Sequence, residues 1–250
     1  MIPRVLVIVA WFSTVCIAQI PQQTLRPAQE NAPQTGSSST PYRLSIGAYI
    51  LAKAGVNTAV AKGRMTDVNI NSLPDFGVSV FAPFQAGGRL GIGLDLGYAT
   101  YTYINKPLTA ANDDNTIVEQ YSYVNIFPHL NLSGIVLGVN LGLSPRGHGK
   151  SQSGRTMPLT TDPNRTELSS DELSTLVEVR IGGNFPIWEH STGHLNLYLM
   201  AGYALSRVYS DYKTYRYSWD DNISPSASNN PRPASLAVGL AYYFRVPLTQ

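Results

Sequence analysis

The chain has 250 residues, of which 14% are charged, and a formal net charge of +2 at pH 7. The charged share is well below the ~25% of an ordinary soluble domain. So small a net charge, with no basic run interleaved with aromatic residues, argues against a nucleic-acid-binding protein. The length allows one β-barrel or two small soluble domains.

Residues 1–18 have the pattern of an export signal. Arg4 supplies the positive charge, residues 5–15 are apolar, and Cys-Ile-Ala at 16–18 is a small-x-small cleavage site. The apolar run is too short to cross a membrane as a helix. Cys16 is the single cysteine of the sequence, so cleavage would leave no disulfide or thiol chemistry. Residues 19–41, rich in Pro, Gln, Ser and Thr, are predicted to form a disordered lead-in.

Apolar residues alternate with small or polar ones from residue 42 onward. A strand sends successive side chains to opposite faces, so this alternation predicts β-strands. Eight strands are predicted, at 42–54, 75–83, 89–103, 117–128, 134–144, 173–186, 194–209 and 234–246. Their connections alternate between short (84–88, 129–133, 187–193) and long and polar (55–74, 104–116, 145–172, 210–233).

This order of connections predicts an all-β fold, an eight-stranded antiparallel up-and-down transmembrane β-barrel over residues 42–246. The short turns and both termini of the barrel are expected on the periplasmic side, and residues 247–250 form a tail. A closed barrel has no free strand edge, so a monomer is predicted.

The segment 89–102 predicts which face of each strand meets lipid. Glycines and Asp95 alternate there with large apolar residues, and only small side chains fit inside a narrow barrel. The apolar parity is therefore predicted to face lipid, as at Leu90, Ile92, Leu94, Leu96, Leu137, Val139, Val238 and Leu240. The same alternation predicts that Gly93→Arg fails through crowding inside the barrel.

The opposite parity holds polar and charged residues of both signs. We predict that these groups pair with one another and plug the lumen, because eight strands enclose space for side chains only. The predicted lumen network comprises Arg43, Arg89, Asp95, Glu119, Glu178 and Arg180, with Lys53, Asn125, Asn140 and Asn184 on the same face. The alternative is a narrow or gated ion path past Asp95, Glu178 and Arg180.

Aromatic residues are concentrated near the predicted strand ends. Two girdles at the membrane interfaces are therefore predicted, since amphipathic rings are favourable at headgroup depth. The predicted girdle residues are Phe84, Phe127, Trp188 and Phe244 at the short-turn end, and Tyr101, Tyr103, Tyr121 and Tyr123 at the long-loop end.

Candidate catalytic residues are few. His190 and His194 lie in a predicted turn beside Glu189 and Ser191, residue types that can form a hydrolase triad, but a solvated turn is the favoured interpretation. The acidic pairs at 113–114 and 220–221 are interpreted as turn-forming, solvated or calcium-attracting carboxylates. No catalytic, cofactor or metal site is predicted. The aromatic and basic loop at 209–219 is interpreted as an extension of the seventh strand, with lipopolysaccharide contact as the alternative.

The stretch YSYVNIFPHLNLSGIVLGVNLGLS at 121–144 has an aromatic-rich strand, a Pro-containing segment and a Gly-alternating strand. It resembles the middle hairpin of PorT-like outer-membrane β-barrel proteins, with Phe127 inserted between Ile126 and Pro128. The ending SLAVGLAYYF at 235–244 is similar to the last strand that the barrel-assembly machinery recognises. The resemblance spans roughly 42–245 and implies an OmpA-like barrel in the outer membrane of a Gram-negative envelope.

Four functional hypotheses follow. The favoured one is a non-enzymatic outer-membrane protein with a structural, adhesive or assembly-accessory role through its long loops, in contact with outer-membrane lipids and lipopolysaccharide. The second is a small porin or gated channel. The third is an outer-membrane enzyme acting on lipid or peptide, and the fourth is a secreted soluble barrel.

Overall fold

The structure is a computed structural model that describes residues 43–59, 64–86, 88–107, 116–157, 167–211 and 230–247. The predicted signal peptide and lead-in, residues 248–250 of the predicted tail, and the acidic pairs at 113–114 and 220–221 lie outside these ranges. Within them, no helix has the length and apolar character needed to cross a membrane.

Eleven strands make up the described secondary structure. They are β1 Arg43–Asn57, β2 Arg64–Ile70, β3 Asp75–Pro83, β4 Leu90–Pro107, β5 Ile117–Leu132, β6 Ile135–Ser151, β7 Thr156–Met157, β8 Glu167–Leu168, β9 Leu176–Glu189, β10 Gly193–Ala204 and β11 Pro233–Pro247. All of their pairings are antiparallel.

Eight of these strands close into a ring. Each of β1, β3, β4, β5, β6, β9, β10 and β11 pairs with the next, and β11 pairs with β1 along its whole length, from Arg43↔Pro247 to Asn57↔Pro233. The predicted eight-stranded up-and-down barrel is confirmed. The short connections β3–β4, β5–β6 and β9–β10, together with both barrel termini, define the short-turn end, and the longer connections define the long-loop end.

Two predicted loops are partly strand. The segment 55–74 was expected to be irregular, but β1 continues to Asn57 and β2 pairs with both β1 and β4. The loop expected from 145 onward begins later, because β6 continues to Ser151 and pairs with β7 and β8. Ser144 has φ 48°, next to an irregularity in the β5–β6 register. After this bulge the odd-numbered residues of β6 face inward, whereas before it the even-numbered residues do. The alternation in the sequence therefore breaks at this point although the strand continues.

The β5–β6 turn is shorter than predicted. Leu132 pairs with Ile135, so only Ser133 and Gly134 form the turn, and both have positive φ, at 57° and 103°. A two-residue turn with two positive φ values matches the twist of the strands that it joins. His129, which was expected in a turn, therefore lies within β5 and is buried.

The outer face of the ring is apolar. The eight side chains predicted to meet lipid all lie on it, with exposed fractions of 39–52%. Further large apolar side chains continue this band on every wall strand, among them Ile50, Val80, Leu130, Ile181 and Leu236. A monomeric soluble protein rarely exposes so large a continuous apolar surface.

Five predicted girdle residues lie inside the barrel, so that prediction is wrong for them. Their exposed fractions are 0–1%, at Tyr101, Tyr103, Tyr121, Tyr123 and Phe127. They occupy the inward parity of β4 and β5, where the rings fill the lumen and the hydroxyls of Tyr101, Tyr103 and Tyr121 donate to buried carboxylates. Phe84, Trp188 and Phe244 do lie outside near the short-turn end, with exposed fractions of 55–59%.

Gly93 faces inward at a point where the lumen is full. A Cβ on Gly93 would lie 2.5 Å from Cε1 and 2.9 Å from Cδ2 of the buried His129 ring. We expect Gly93→Ala to lower the free energy of unfolding by about 1–3 kcal/mol, because the ring must move in a close-packed interior. The measurement is urea unfolding of the barrel refolded in vesicles.

His129→Ala provides the matched test of this crowding. The double variant Gly93→Ala/His129→Ala should be more stable than the sum of the two single effects, because the new methyl group then enters vacated space. Additive single effects would show that the two positions do not compete for volume.

Candidate functional site

The middle of the lumen holds a group of charged and polar side chains that we name the central layer. It consists of Lys53, Asp75, Tyr101, Asn140, Glu178 and Arg180, with exposed fractions of 0–7%. Five wall strands supply them: β1, β3, β4, β6 and β9. Two of the side chains are cationic and two are anionic, so the layer is formally neutral.

Glu178 is the centre of this layer. Its Oε2 accepts hydrogen bonds from Tyr101 OH at 2.5 Å, Arg180 Nε at 2.7 Å and Asn140 Nδ2 at 3.2 Å. Its Oε1 accepts one from Ser235 Oγ at 3.2 Å. Arg180 Nη2 also donates to Tyr101 OH at 2.8 Å. A buried carboxylate with this many donors is well compensated for its loss of water.

The second ion pair of the layer joins Lys53 and Asp75. The Lys53 ammonium lies 3.9 Å from the centre of the Tyr101 ring, and Asp75 Oδ1 accepts the backbone N–H of Thr100 at 3.0 Å. Tyr101 therefore contacts both ion pairs, with its ring facing one and its hydroxyl bonded to the other. The pairs form one connected unit across the barrel.

A second polar group lies nearer the short-turn end, around Asp95. Ser79 Oγ donates to Asp95 Oδ1 at 2.5 Å and Tyr198 OH donates to Oδ2 at 2.6 Å. His129 Nδ1 is 4.0 Å from Oδ1. Both carboxylate oxygens are thus occupied, and the exposed fraction of Asp95 is 3%.

Hydrogen bonds continue from this group toward the short-turn end. Tyr243 OH donates to Ser79 Oγ at 3.3 Å and accepts from Asn184 Nδ2 at 3.1 Å. Asn196 Nδ2 then donates to Asn184 Oδ1 at 2.6 Å. This chain ends at a cavity of about 430 Å³ at the short-turn end, whose walls include Asn184, Asn196 and Tyr243.

The long-loop end of the lumen is closed by aromatic residues around Glu119. The carboxylate accepts hydrogen bonds from Asn105 Nδ2 at 2.5 Å, Tyr121 OH at 2.6 Å and Tyr103 OH at 3.1 Å. The rings of Tyr103 and Tyr121 stack with their centres 5.9 Å apart. The exposed fraction of Glu119 is 2%.

Loop segments cover this aromatic cluster, and we call them the cap. They contribute buried apolar side chains at Leu168, Leu173, Val208 and Tyr209. The cap is tied together by Ser174 N to Val208 O at 2.8 Å and by two hydrogen bonds between Asn230 and the Tyr209 backbone. Tyr209, expected in an exposed hairpin, contacts the Tyr121 hydroxyl at 3.2 Å, and its burial raises its pKa well above the ordinary value.

The predicted lumen residues fall into two sets. Asp95, Glu119, Glu178 and Arg180 lie in the buried interior, as do the four further inward residues Lys53, Asn125, Asn140 and Asn184. Arg43 and Arg89 do not join this network, because Arg43 pairs with the last residue of β11 and Arg89 precedes β4 in a turn. Both side chains are exposed at the rim of the short-turn cavity, where long cationic chains remain hydrated.

The residues considered for a hydrolase triad do not converge. Ser191 Oγ lies 3.3 Å from His190 Nδ1 on an exposed turn, but Glu189 Oε2 pairs with Arg245 Nη2 at 2.9 Å. The ring of His194 stacks on Tyr243 instead, with centres 5.1 Å apart. Among the described residues no cluster of three or more His, Cys, Asp or Glu side chains could hold a metal ion.

Several interior residues were not identified from sequence. Tyr198 and Tyr243 occupy the inward parity of β10 and β11. Because their outward neighbours are apolar, the alternation along each strand was a signal that could have predicted them as lumen residues. The sequence around Asp75 and Ser79 on β3 gives no sign that these side chains belong to the polar interior. That role is recognised only from their contacts in the structure, Asp75 with Lys53 and Ser79 with Asp95.

Neither a family model nor a curated protein sequence matches the chain. Solved structures similar to it include Ail, the attachment invasion locus protein of Yersinia pestis, in complex with the heparin analogue sucrose octasulfate (13% identity, 82% of this chain and 99% of Ail, TM-score 0.35). AlkL, an outer membrane protein solved in DMPC lipid bilayers, is 11% identical over 89% of this chain and 100% of AlkL (TM-score 0.36). The outer membrane protease OmpT from Escherichia coli is 9% identical over 86% of this chain and 99% of OmpT (TM-score 0.31).

Proposed function

We propose that this chain is an exported, non-enzymatic outer-membrane β-barrel with a plugged lumen, which acts through its long-loop end in a structural, adhesive or assembly-accessory role. The observation that supports this most directly is the burial of the central layer. Tyr101, Asn140 and Glu178 each have an exposed fraction of 0%. Their complete burial supports a lumen that is closed to water at this level.

The outer face supports placement in a lipid bilayer. On β4 the outward apolar side chains extend from Leu90 to Tyr98, a run of nine residues. A tilted transmembrane strand needs ~9–11 residues to cross a bilayer. Phe84, Trp188 and Phe244 lie at the short-turn margin of this band, a position that suits an interfacial girdle. Membership of the PorT-like family and insertion by the barrel-assembly machinery belong to the same proposal, as does a monomer.

The long-loop end supports a role in binding at the cell surface. Strands β4, β5 and β6 continue beyond the apolar band, and β7 and β8 pair with the extension of β6. Lys106 Nζ donates to Asp67 Oδ2 at 2.8 Å across β2 and β4, and this hydrogen bond holds the pKa of Asp67 below its ordinary value. An ordered surface of this kind could contact lipopolysaccharide or a protein partner with little loss of conformational entropy.

The test is single-channel recording of the refolded barrel in planar bilayers. We expect a silent bilayer at all applied voltages, because the proposed plug of buried side chains in the central layer and the cap would leave ions no path. A heat-modifiable band on a gel is the control that shows the protein is folded. Discrete conductance steps from folded protein would overturn the plugged-lumen proposal.

A gated channel is the second candidate, and one observation favours it. The central layer is made of ion pairs rather than apolar side chains, and ion pairs can rearrange to pass charge. The same recordings decide between the two, with voltage-dependent openings supporting the channel. An enzyme is tested separately by incubating the folded protein with lipid A and with peptides, where no released acyl chain or cleaved peptide is expected.

A further inference from the structure

The cavity at the short-turn end, which we name the vestibule, has the size and composition of a binding site. Its volume of about 430 Å³ lies in the range of small-molecule sites. Three arginines line it, Arg43 from β1, Arg89 from the β3–β4 turn and Arg245 from β11. These residues are far apart in sequence, and the closure of the barrel brings them to one rim.

The charges of the vestibule are unbalanced. Arg245 Nη2 is paired with Glu189 Oε2 at 2.9 Å. Among the described residues, neither Arg43 nor Arg89 has a carboxylate within ion-pair distance. The lining therefore has two more positive than negative charges. In the central layer, by contrast, every cation faces a carboxylate.

The floor of the vestibule offers amide groups. Asn131, Asn184 and Asn196 line it and have exposed fractions of 5–8%. Asn131 Oδ1 accepts the backbone N–H of Gly134 at 2.8 Å, and its amide nitrogen has no hydrogen-bond partner among the described residues, so it can donate to a ligand. His194 adds a buried Nδ1 that has no partner in the described part of the chain.

The walls are apolar. Four apolar residues, Phe81, Pro83, Phe185 and Pro186, also line the vestibule; Pro83 is buried, Phe81 is half-buried, and Phe185 and Pro186 are exposed. Apolar walls lower the local dielectric constant, which strengthens the interaction of a guanidinium with an anion.

We propose that the vestibule binds a small ligand that bears an oxyanion, either a carboxylate or a phosphate. The planar guanidinium forks of Arg43 and Arg89 match both groups in bidentate geometry. The amide donors at the floor complete the coordination, and the apolar walls exclude part of the water. In the orientation of the proposed function, the ligand reaches the vestibule from the periplasm.

The experiment titrates inorganic phosphate and malonate separately into ¹⁵N-labelled barrel refolded in a non-ionic maltoside detergent, which carries no oxyanion of its own. Each anion should shift the side-chain amide resonances of Asn131 and Asn196 in a saturable way, with glucose as the neutral control. The two titrations distinguish the two kinds of ligand. A lower dissociation constant for malonate indicates a carboxylate ligand, and a lower dissociation constant for phosphate indicates a phosphorylated one.

Arg43→Gln and Arg89→Gln should each weaken binding about tenfold, the effect of losing one charge-assisted hydrogen bond. Lys150→Gln is the matched control, since it removes one exposed positive charge beyond the long-loop margin and should leave binding unchanged. All variants should remain heat-modifiable, because the substituted side chains are exposed.

Absence of saturable shifts in the wild-type barrel at millimolar anion would overturn the proposal without reference to any variant. Equal weakening by Lys150→Gln would also overturn it, since the effect would then be general electrostatic attraction. Neither result bears on whether the lumen is plugged, which the conductance recordings test independently.

Discussion

Glu178→Gln is expected to lower the free energy of unfolding of the folded barrel by about 3–5 kcal/mol, the cost of leaving a buried charge without its partner. The substitution keeps the shape of the side chain but removes the negative charge that Arg180 faces at 2.7 Å. It also places an amide that donates hydrogen bonds among the donors Tyr101, Asn140 and Ser235. Urea unfolding in vesicles, followed by tryptophan fluorescence, measures the change.

Glu189→Gln is the matched control for this experiment. It makes the same chemical change in an ion pair of similar length, Glu189 with Arg245 at 2.9 Å, but the Glu189 side chain is 50% exposed. Exposed pairs contribute about 0–1 kcal/mol, so this variant should unfold almost like the wild type. Equal effects of the two substitutions would mean that water reaches Glu178, and would favour the gated channel over the plugged lumen.

A double variant separates the net contribution of the Glu178–Arg180 ion pair to stability from the cost of removing one of its partners. Glu178→Leu/Arg180→Met replaces both charges by apolar side chains, and such replacements are often neutral or stabilising by about 1–4 kcal/mol. Recovery of stability relative to Glu178→Gln would show that the ion pair is retained for a reason other than stability. Continued loss would show that the polar network determines how the lumen packs.

The barrel was predictable from sequence because lipid requires one face of each strand to be apolar along its whole length. The segment from Leu90 to Leu96 shows the two-residue alternation clearly. The same alternation places Leu137 and Val238 on the lipid-facing side of their strands. The bulge at Ser144 and the strand β2 were missed, since each interrupts the period that identifies a strand.

The interior was predictable only in part. Parity alone placed Asp95, Glu178 and Arg180 inside, but their partners come from strands distant in sequence, as with Tyr101 and Glu178, and depend on strand register. The tyrosines were assigned by their position along the strand rather than by parity, which put Tyr101 and Tyr121 on the wrong face. Arg43 and Arg89 have the inward parity, but they lie at the short-turn end beyond the filled part of the lumen, so their side chains are exposed.

Leu94→Arg should lower the free energy of unfolding by about 2–4 kcal/mol, the cost of a cationic side chain at the midplane of a lipid-facing strand. Leu94 is the central outward residue of the Leu90–Tyr98 band, and its exposed fraction is 39%. The cost arises because the guanidinium must reach the interface or draw water into the hydrocarbon. Unfolding in vesicles with matched urea series provides the measurement.

Leu90→Arg is the depth control, on the same face of the same strand. Leu90 lies at the short-turn margin of the band with an exposed fraction of 49%, where an arginine costs only about 0–1 kcal/mol. A bilayer imposes this difference in depth, whereas water would treat the two exposed positions alike. Equal and small effects at both positions would therefore contradict the membrane placement. A large effect at Leu94 alone would locate the hydrocarbon core at the level of Asp95, where the lumen is filled with paired polar groups.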